Sequence, residues 1–212
     1  MAQLLTNRTT ANTAAEHVAD HNEAHGRINA NITVGPTGEM YSTIQAAVNA
    51  ANTAGGGHIK VRQGTYNLTS SVTLYSNIEI HLERGAVVNQ TVAGVAAFAA
   101  TGTATVPLSN ITLRGGKVTA PITGAAGGTC IAFNNVKDSI VDRVETIGGT
   151  LTTISFTDTN RSHVKWCAVS EGQLCGIRLK GSSYNNLVGN HIFDIGLPLD
   201  GSVAQAVYLG MG

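Results

Sequence analysis

The sequence predicts an all-β solenoid, a parallel β-helix with a short α-helix ahead of it. Paired apolar positions return with a period of 23: Ile131 and Phe133, Ile154 and Phe156, Ile177 and Leu179, with Val207 and Leu209 following after 30. Each pair stands at i and i+2 around a small or polar residue, the alternation of a short strand with one buried face. A second echo, Val141, Val164 and Val188 at spacings of 23 and 24, gives each repeat a second strand. A fixed period in the low twenties is one coil of a solenoid. Composition agrees, because 25 Gly, abundant Thr and 5% aromatic residues suit short strands and tight turns better than a helical bundle.

The elements follow in chain order. Residues 1–12 are a polar tail. Thr13-Ala-Ala-Glu16 reads as a capping box opening a helix. Ala14, Val18, His21, His25 and Ile28 form a heptad stripe on it, with Ile32 in phase beyond. A helix this short is marginal alone in water, so a short trimeric or partner-bound coiled coil is expected. His17, His21 and His25 share one face. Polar layers in an oligomer seam, or plain solvation, explain them more simply than a metal, and no metal site or cofactor is assigned. Residues 29–38 read as a linker around Gly35-Pro-Thr-Gly38. This places an attachment region at 1–34 and the β-helix at 35–212.

Within the β-helix, Ile44, Ala47, Val48 and Ala51 share one face of a three-turn helix capped by Ser42 or Thr43, and Gly55-Gly-Gly57 ends it. Alternation then runs through Ile59, Val61, a turn at Gly64, Tyr66, Leu68, Val72, Leu74, Ile78, Ile80 and Leu82. Residues 89–107 are rich in Ala, Thr and Gly and off-period, so they read as an irregular rung or a loop; residues 120–128 and 196–204 read as loops projecting from the coil. The third side of each coil is the least regular. Solenoids need capped ends, and a sequence ending on Gly210-Met-Gly212 straight after a repeat strand reads as a rod cut at an interior rung.

Charge and cysteine content narrow the function classes. Thirteen Lys and Arg balance 13 Asp and Glu, which argues against nucleic acid and against a polybasic membrane anchor. No run of 18 apolar residues spans a membrane, and Met1-Ala-Gln-Leu-Leu lacks the pattern of a signal peptide, so synthesis in a cytoplasm is expected. Cys130, Cys167 and Cys175 are odd in number and lack metal-ligand spacing; they read as small reduced core residues.

Thr43-Ile-Gln-Ala-Ala-Val-Asn-Ala-Ala51, Gly55-Gly-Gly57 and Gly64-Thr-Tyr66 resemble the N-terminal entry of the pectate-lyase-like right-handed parallel β-helix superfamily. The downstream repeats extend that resemblance over about residues 35–212. Residues 13–29 resemble the leader of bacteriophage minor tail proteins and tailspikes. The resemblance implies a homotrimer in the virion tail, made in the host cytoplasm. Residues 1–34 would join other tail proteins, and the β-helix would meet host-surface polysaccharide. The alternative it implies is a polysaccharide-degrading lyase or glycoside hydrolase, the superfamily holding both enzymes and non-catalytic spikes.

Candidate site residues come from the repeat. Glu171 and Asp194 are 23 apart, which stacks them on adjacent rungs roughly 5 Å apart, close enough for a paired-carboxylate mechanism. Asp200 is placed to approach them, Asp138 and Asp142 lie one repeat earlier, and Lys165 and Arg178 are basic candidates; the simpler reading makes Glu171 and Asp194 turn residues beside Gly172 and Gly196. Trp166 and Tyr184 are candidates for stacking on sugars, a buried role being the alternative for the sole Trp. Asn134, Asn135, Asn185, Asn186 and Asn190 read as turn residues or side-chain ladders at rung corners.

Overall fold

The computed structural model describes residues 31–124, 128–196 and 205–210. They form a parallel β-solenoid with one short helix, and its coils have three faces. The first face stacks seven strands: Asn31–Val34, Gly57–Val61, the start of Ile78–Gln90, the start of Thr112–Ala120, Ile140–Asp142, His163–Lys165 and Asn186–Val188. The second stacks Gly64–Leu68, the ends of the two long strands, Glu145–Gly148, Ala168–Ser170 and His191–Phe193. Because Ile78–Gln90 and Thr112–Ala120 run through the corner between them, both faces belong to one sheet. The third face is a separate sheet of Val72–Thr73, Phe98–Thr101, Ile131–Asn134, Thr152–Thr157, Cys175–Lys180 and Gln205–Gly210.

The core follows from in-register parallel stacking. On the third face Phe98, Ile131, Ile154, Ile177 and Val207 form one column, and Ala100, Phe133, Phe156, Leu179 and Leu209 the next. Phe98, Phe133 and Phe156 are fully buried, and the Phe133 and Phe156 rings stack with centroids 5.2 Å apart and planes 4° from parallel. Burying side chains of this size contributes about 1.5–3 kcal/mol each. Helix α1, Ile44–Thr53, covers the first coils with Ile44, Ala47, Val48 and Ala51. Thr43 caps it, its Oγ1 accepting from the Ala46 N–H at 3.3 Å. Cys130, Cys167 and Cys175 are buried free thiols, as the sequence suggests.

Polar ladders close the corners. Asn185 Oδ1 accepts from the Ser162 N–H at 2.9 Å while its Nδ2 donates to the Thr159 carbonyl at 2.6 Å. Asn190 bridges the Cys167 N–H and the Val164 carbonyl in the same manner, one corner further on. Each ladder satisfies backbone groups that the turning chain leaves without sheet partners.

Three expectations change. The linker read at 29–38 contains a strand: Asn31–Val34 pairs in parallel with Gly57–Val61, burying Ile32 and Val34. Residues 89–107 hold a regular rung, since Phe98–Thr101 pairs with both Val72–Thr73 and Ile131–Asn134. Ala100 stands where the next two rungs have Phe133 and Phe156, and the step to the next rung is lengthened, which masks the period. In the second echo Val164 stacks on Leu187, and Val188 pairs beside Lys165 and points outward. One residue of register moves a side chain to the opposite face. The helix expected from Thr13, with His17, His21 and His25, and Asp200 lie outside the described residues.

Candidate functional site

The corner between the first and second faces turns through the left-handed region of backbone space on successive coils. Gly85, Gly115, Gly116, Arg143, Trp166 and Gly189 occupy it, with φ between 52° and 85°. This conformation costs an L-residue about 1 kcal/mol and is an outlier for a bulky side chain. Arg143 and Trp166 adopt it because the sheet registers on both sides of the corner are already fixed by buried neighbours, and it leaves both side chains exposed on the rim.

The same corner is hollow one coil earlier. A Cβ on Gly115 would collide with the Leu82 carbonyl oxygen, and one on Gly116 with Leu82 Cβ, so glycine is required and the floor carries no side chains. The result is a groove of about 500 Å³ running across the rungs from Arg84 to Trp166, with His81, Lys117, Arg143 and Glu145 on its walls. Trp166 is 56% exposed; its ring lies over Gly189 on the following coil, where a Cβ would strike the indole.

Among the described residues three permanent cations, Arg84, Lys117 and Arg143, and one carboxylate, Glu145, line this groove. Lys117 Nζ sits 3.0 Å from Glu145 Oε1, and Arg143 contacts Asp142 at 3.3 Å. Arg84 is exposed and has no side-chain hydrogen bond or ion pair among the described residues. His81 is held in its neutral form near neutral pH, because burial and the neighbouring Arg114 push its pKa down. The arrangement can stack a flat ring on the indole and neutralise an anion in the glycine-floored hollow.

The other candidates are distributed elsewhere. Glu171 and Asp194 follow one another at the corner between the second and third faces, both exposed and in the left-handed conformation, above Gly148. The Glu171 N–H donates to the Asp194 carbonyl at 3.1 Å, which makes them rung neighbours as their spacing implies. Tyr184 is 86% exposed at the corner between the third and first faces. One face of strand therefore separates it from Trp166, roughly 16 Å along the chain direction. Asp138 is committed to a two-point ion pair with Arg161, both bonds 2.8 Å, and the Arg161 guanidinium holds its carboxyl below the usual range. Arg178 lies on the third face with its guanidinium 6.0 Å from the Tyr208 ring, whereas Lys165 lies on the first. Among the described residues no group of three or more His, Cys, Asp or Glu is placed to hold a metal ion, and no helix is long and apolar enough to cross a membrane.

Arg84, Lys117, Arg143 and the Gly115–Gly116 floor escape a reading of the sequence. Arg143, Trp166 and Gly189 do repeat at 23, a detectable signal. Arg84 and Lys117 give none, because Lys117 stacks on Val87 and Glu145, 30 and 28 residues away, and Arg84 lies in the register shift between Leu82 and Val87.

No family model matches the chain, and no curated protein matches it. Among solved structures it is similar to the ORF18 protein of Geobacillus virus E2, with a TM-score of 0.64 and 14% identity over 88% of this chain. The chain spans 40% of the length of that phage protein. It is also similar to a candidate glycosyl hydrolase from Parabacteroides merdae, with a TM-score of 0.60, 19% identity, and coverage of 79% of this chain and 86% of that one. At such identities the likeness is one of fold.

Proposed function

We propose that this chain is the shaft of a bacteriophage tail-spike or minor tail protein that binds a glycan on the host surface. The corner groove carries this reading: an exposed indole stands beside Lys117, Arg143 and the unpaired Arg84, over a stretch of glycine backbone that packs too closely on Leu82 to carry side chains, an arrangement suited to a ligand. The fold likeness to a phage protein is consistent with it. The protein is a homotrimer in the virion tail after synthesis in the host cytoplasm, attached to other tail proteins through the part of residues 1–34 that precedes the Asn31–Val34 rung. Light scattering on the full chain tests the assembly: a trimer is expected, and a monomer refutes the spike. Binding to host cells or their isolated surface glycan tests the receptor role, and Trp166→Ala weakens it.

A second reading, a polysaccharide-degrading lyase or glycoside hydrolase, is favoured by Glu171 and Asp194 on hydrogen-bonded neighbouring rungs and by the fold likeness to a candidate glycosyl hydrolase. Under it, host capsule or wall glycan is cut to oligosaccharides, and Glu171→Gln with Asp194→Asn abolishes the cutting. Undiminished release by that double variant rejects this pair.

A further inference from the structure

We infer that the corner groove selects an anionic glycan, one whose sugars carry carboxylate or phosphate groups; this rests on the receptor reading above. The charge balance of the groove differs from that of the whole molecule. The chain is neutral overall, with 13 basic and 13 acidic residues. Among the described residues Arg84, Lys117 and Arg143 nevertheless line one hollow with Glu145 as its only lining acid; Lys117 is paired with Glu145 at 3.0 Å and Arg143 with Asp142 at 3.3 Å, which leaves Arg84 as the unpaired cation of the groove. Elsewhere on the first face Lys60 pairs with Glu83, Arg62 with Glu39 and Glu83, and Arg114 with Glu79, while Lys165 has no ion pair among the described residues. Arg84 stands immediately after Glu83 but takes no part in that network, and its place is on the groove wall.

Length and shape agree with an oligosaccharide. Arg84 with Gly85, Gly115 with Gly116, Arg143, and Trp166 occupy four consecutive coils, three rung spacings or about 14 Å. A sugar on the exposed indole at one end would place the following residues over the bare Gly115–Gly116 floor. Their acidic groups would then lie between Arg84 and Arg143, where guanidinium forks bind carboxylate or phosphate at two points. A neutral glycan would leave Arg84 without a counter-charge.

The experiment is isothermal titration of the full chain with polygalacturonate and hyaluronan as uronate probes and glycerol-phosphate teichoic acid as a phosphate probe. Dextran serves as the neutral probe and a thymidine oligonucleotide as a non-glycan polyanion. At least one anionic glycan is expected to bind, more weakly as salt rises, and the uronate and phosphate arms identify the source of the anion. Arg84→Gln with Arg143→Gln is expected to weaken that binding about tenfold or more. Arg143→Lys retains part of it, and Lys180→Ala, on the third face, leaves it unchanged. A melting temperature unchanged in the double variant shows that the fold is intact; if it falls, Lys117→Met is the substitute. Dextran or host glycan binding that the double variant preserves overturns the inference and leaves the receptor reading standing. Tighter binding of the oligonucleotide than of any glycan overturns it in favour of nucleic acid. Binding of no probe overturns it as well, and failure also to bind host cells removes the receptor reading with it.

Discussion

Phe156→Ala removes the centre of the third-face column. Phe156 is fully buried, its ring stacked on Phe133 at 5.2 Å and in register with Leu179 on the next coil. Truncation deletes the ring from a site walled by other rungs, which cannot collapse inward without breaking strand pairing. Phe→Ala in such a site costs about 3–5 kcal/mol, including the lost ring contact. For a domain of this size each kcal/mol lowers the melting temperature by about 2–4 °C, so a fall of roughly 6–20 °C is expected. Coils of a solenoid are stabilised chiefly by their neighbours. Amide exchange should therefore accelerate first in Ile131–Asn134 and Cys175–Lys180, the strands paired to Thr152–Thr157. Thermal unfolding by circular dichroism reads the first effect and hydrogen exchange the second. Leu209→Ala in the same column is the control, because Leu209 is 73% exposed and its truncation should cost under about 0.5 kcal/mol. A loss below about 1 kcal/mol for Phe156→Ala would refute the packing of this column.

Other consequences are equally direct. Leu187→Ala should destabilise by about 2 kcal/mol and Val188→Ala by under about 0.5 kcal/mol, since Leu187 packs on the core and Val188 points outward; the reverse order in chemical denaturation would restore the register that spacing suggests. Burial pushes the Cys130 thiol up to about 12 and the Cys167 thiol up to about 11, so neither should react with a disulfide reagent at pH 8 until the chain is denatured. Burial holds the His81 pKa below its ordinary value, so the unfolded chain takes up that proton more readily and stability should fall as pH drops from 7 through about 6.5. His81→Gln should flatten that part of the stability profile. The steeper loss below it belongs to Glu39, Glu83 and Asp138, whose carboxyls are held below the ordinary range by Thr33, Lys60 and Arg161 respectively, and it should persist in the variant.

How much of this molecule can be read from its chain depends on which neighbours matter. Ile131, Ile154 and Ile177 stack because they recur at a constant spacing of 23, and period-2 alternation directs them inward. Helix α1, the buried cysteines and the Asn ladders are local or periodic in the same way. Glu171 and Asp194 were legible as rung neighbours for that reason. The strand at Asn31–Val34 was hidden because Ile32 also continues a heptad stripe. The rung at Phe98–Thr101 was hidden because Ala100 weakens the alternation.

Local alternation and the regular period determined by themselves that this chain coils into a parallel β-helix and which side chains fill its regular rungs, Ile131, Phe133, Ile154, Phe156 and Ile177 among them. The tertiary structure alone decided what the corners bring together. Arg84, the Gly115–Gly116 floor, Arg143 and Trp166 meet across coils in which stacked positions stand anywhere from 23 to 33 apart in sequence. The inserted residues change the sequence distance between stacked corners without changing their spacing in space, because hydrogen bonding between rungs fixes that spacing.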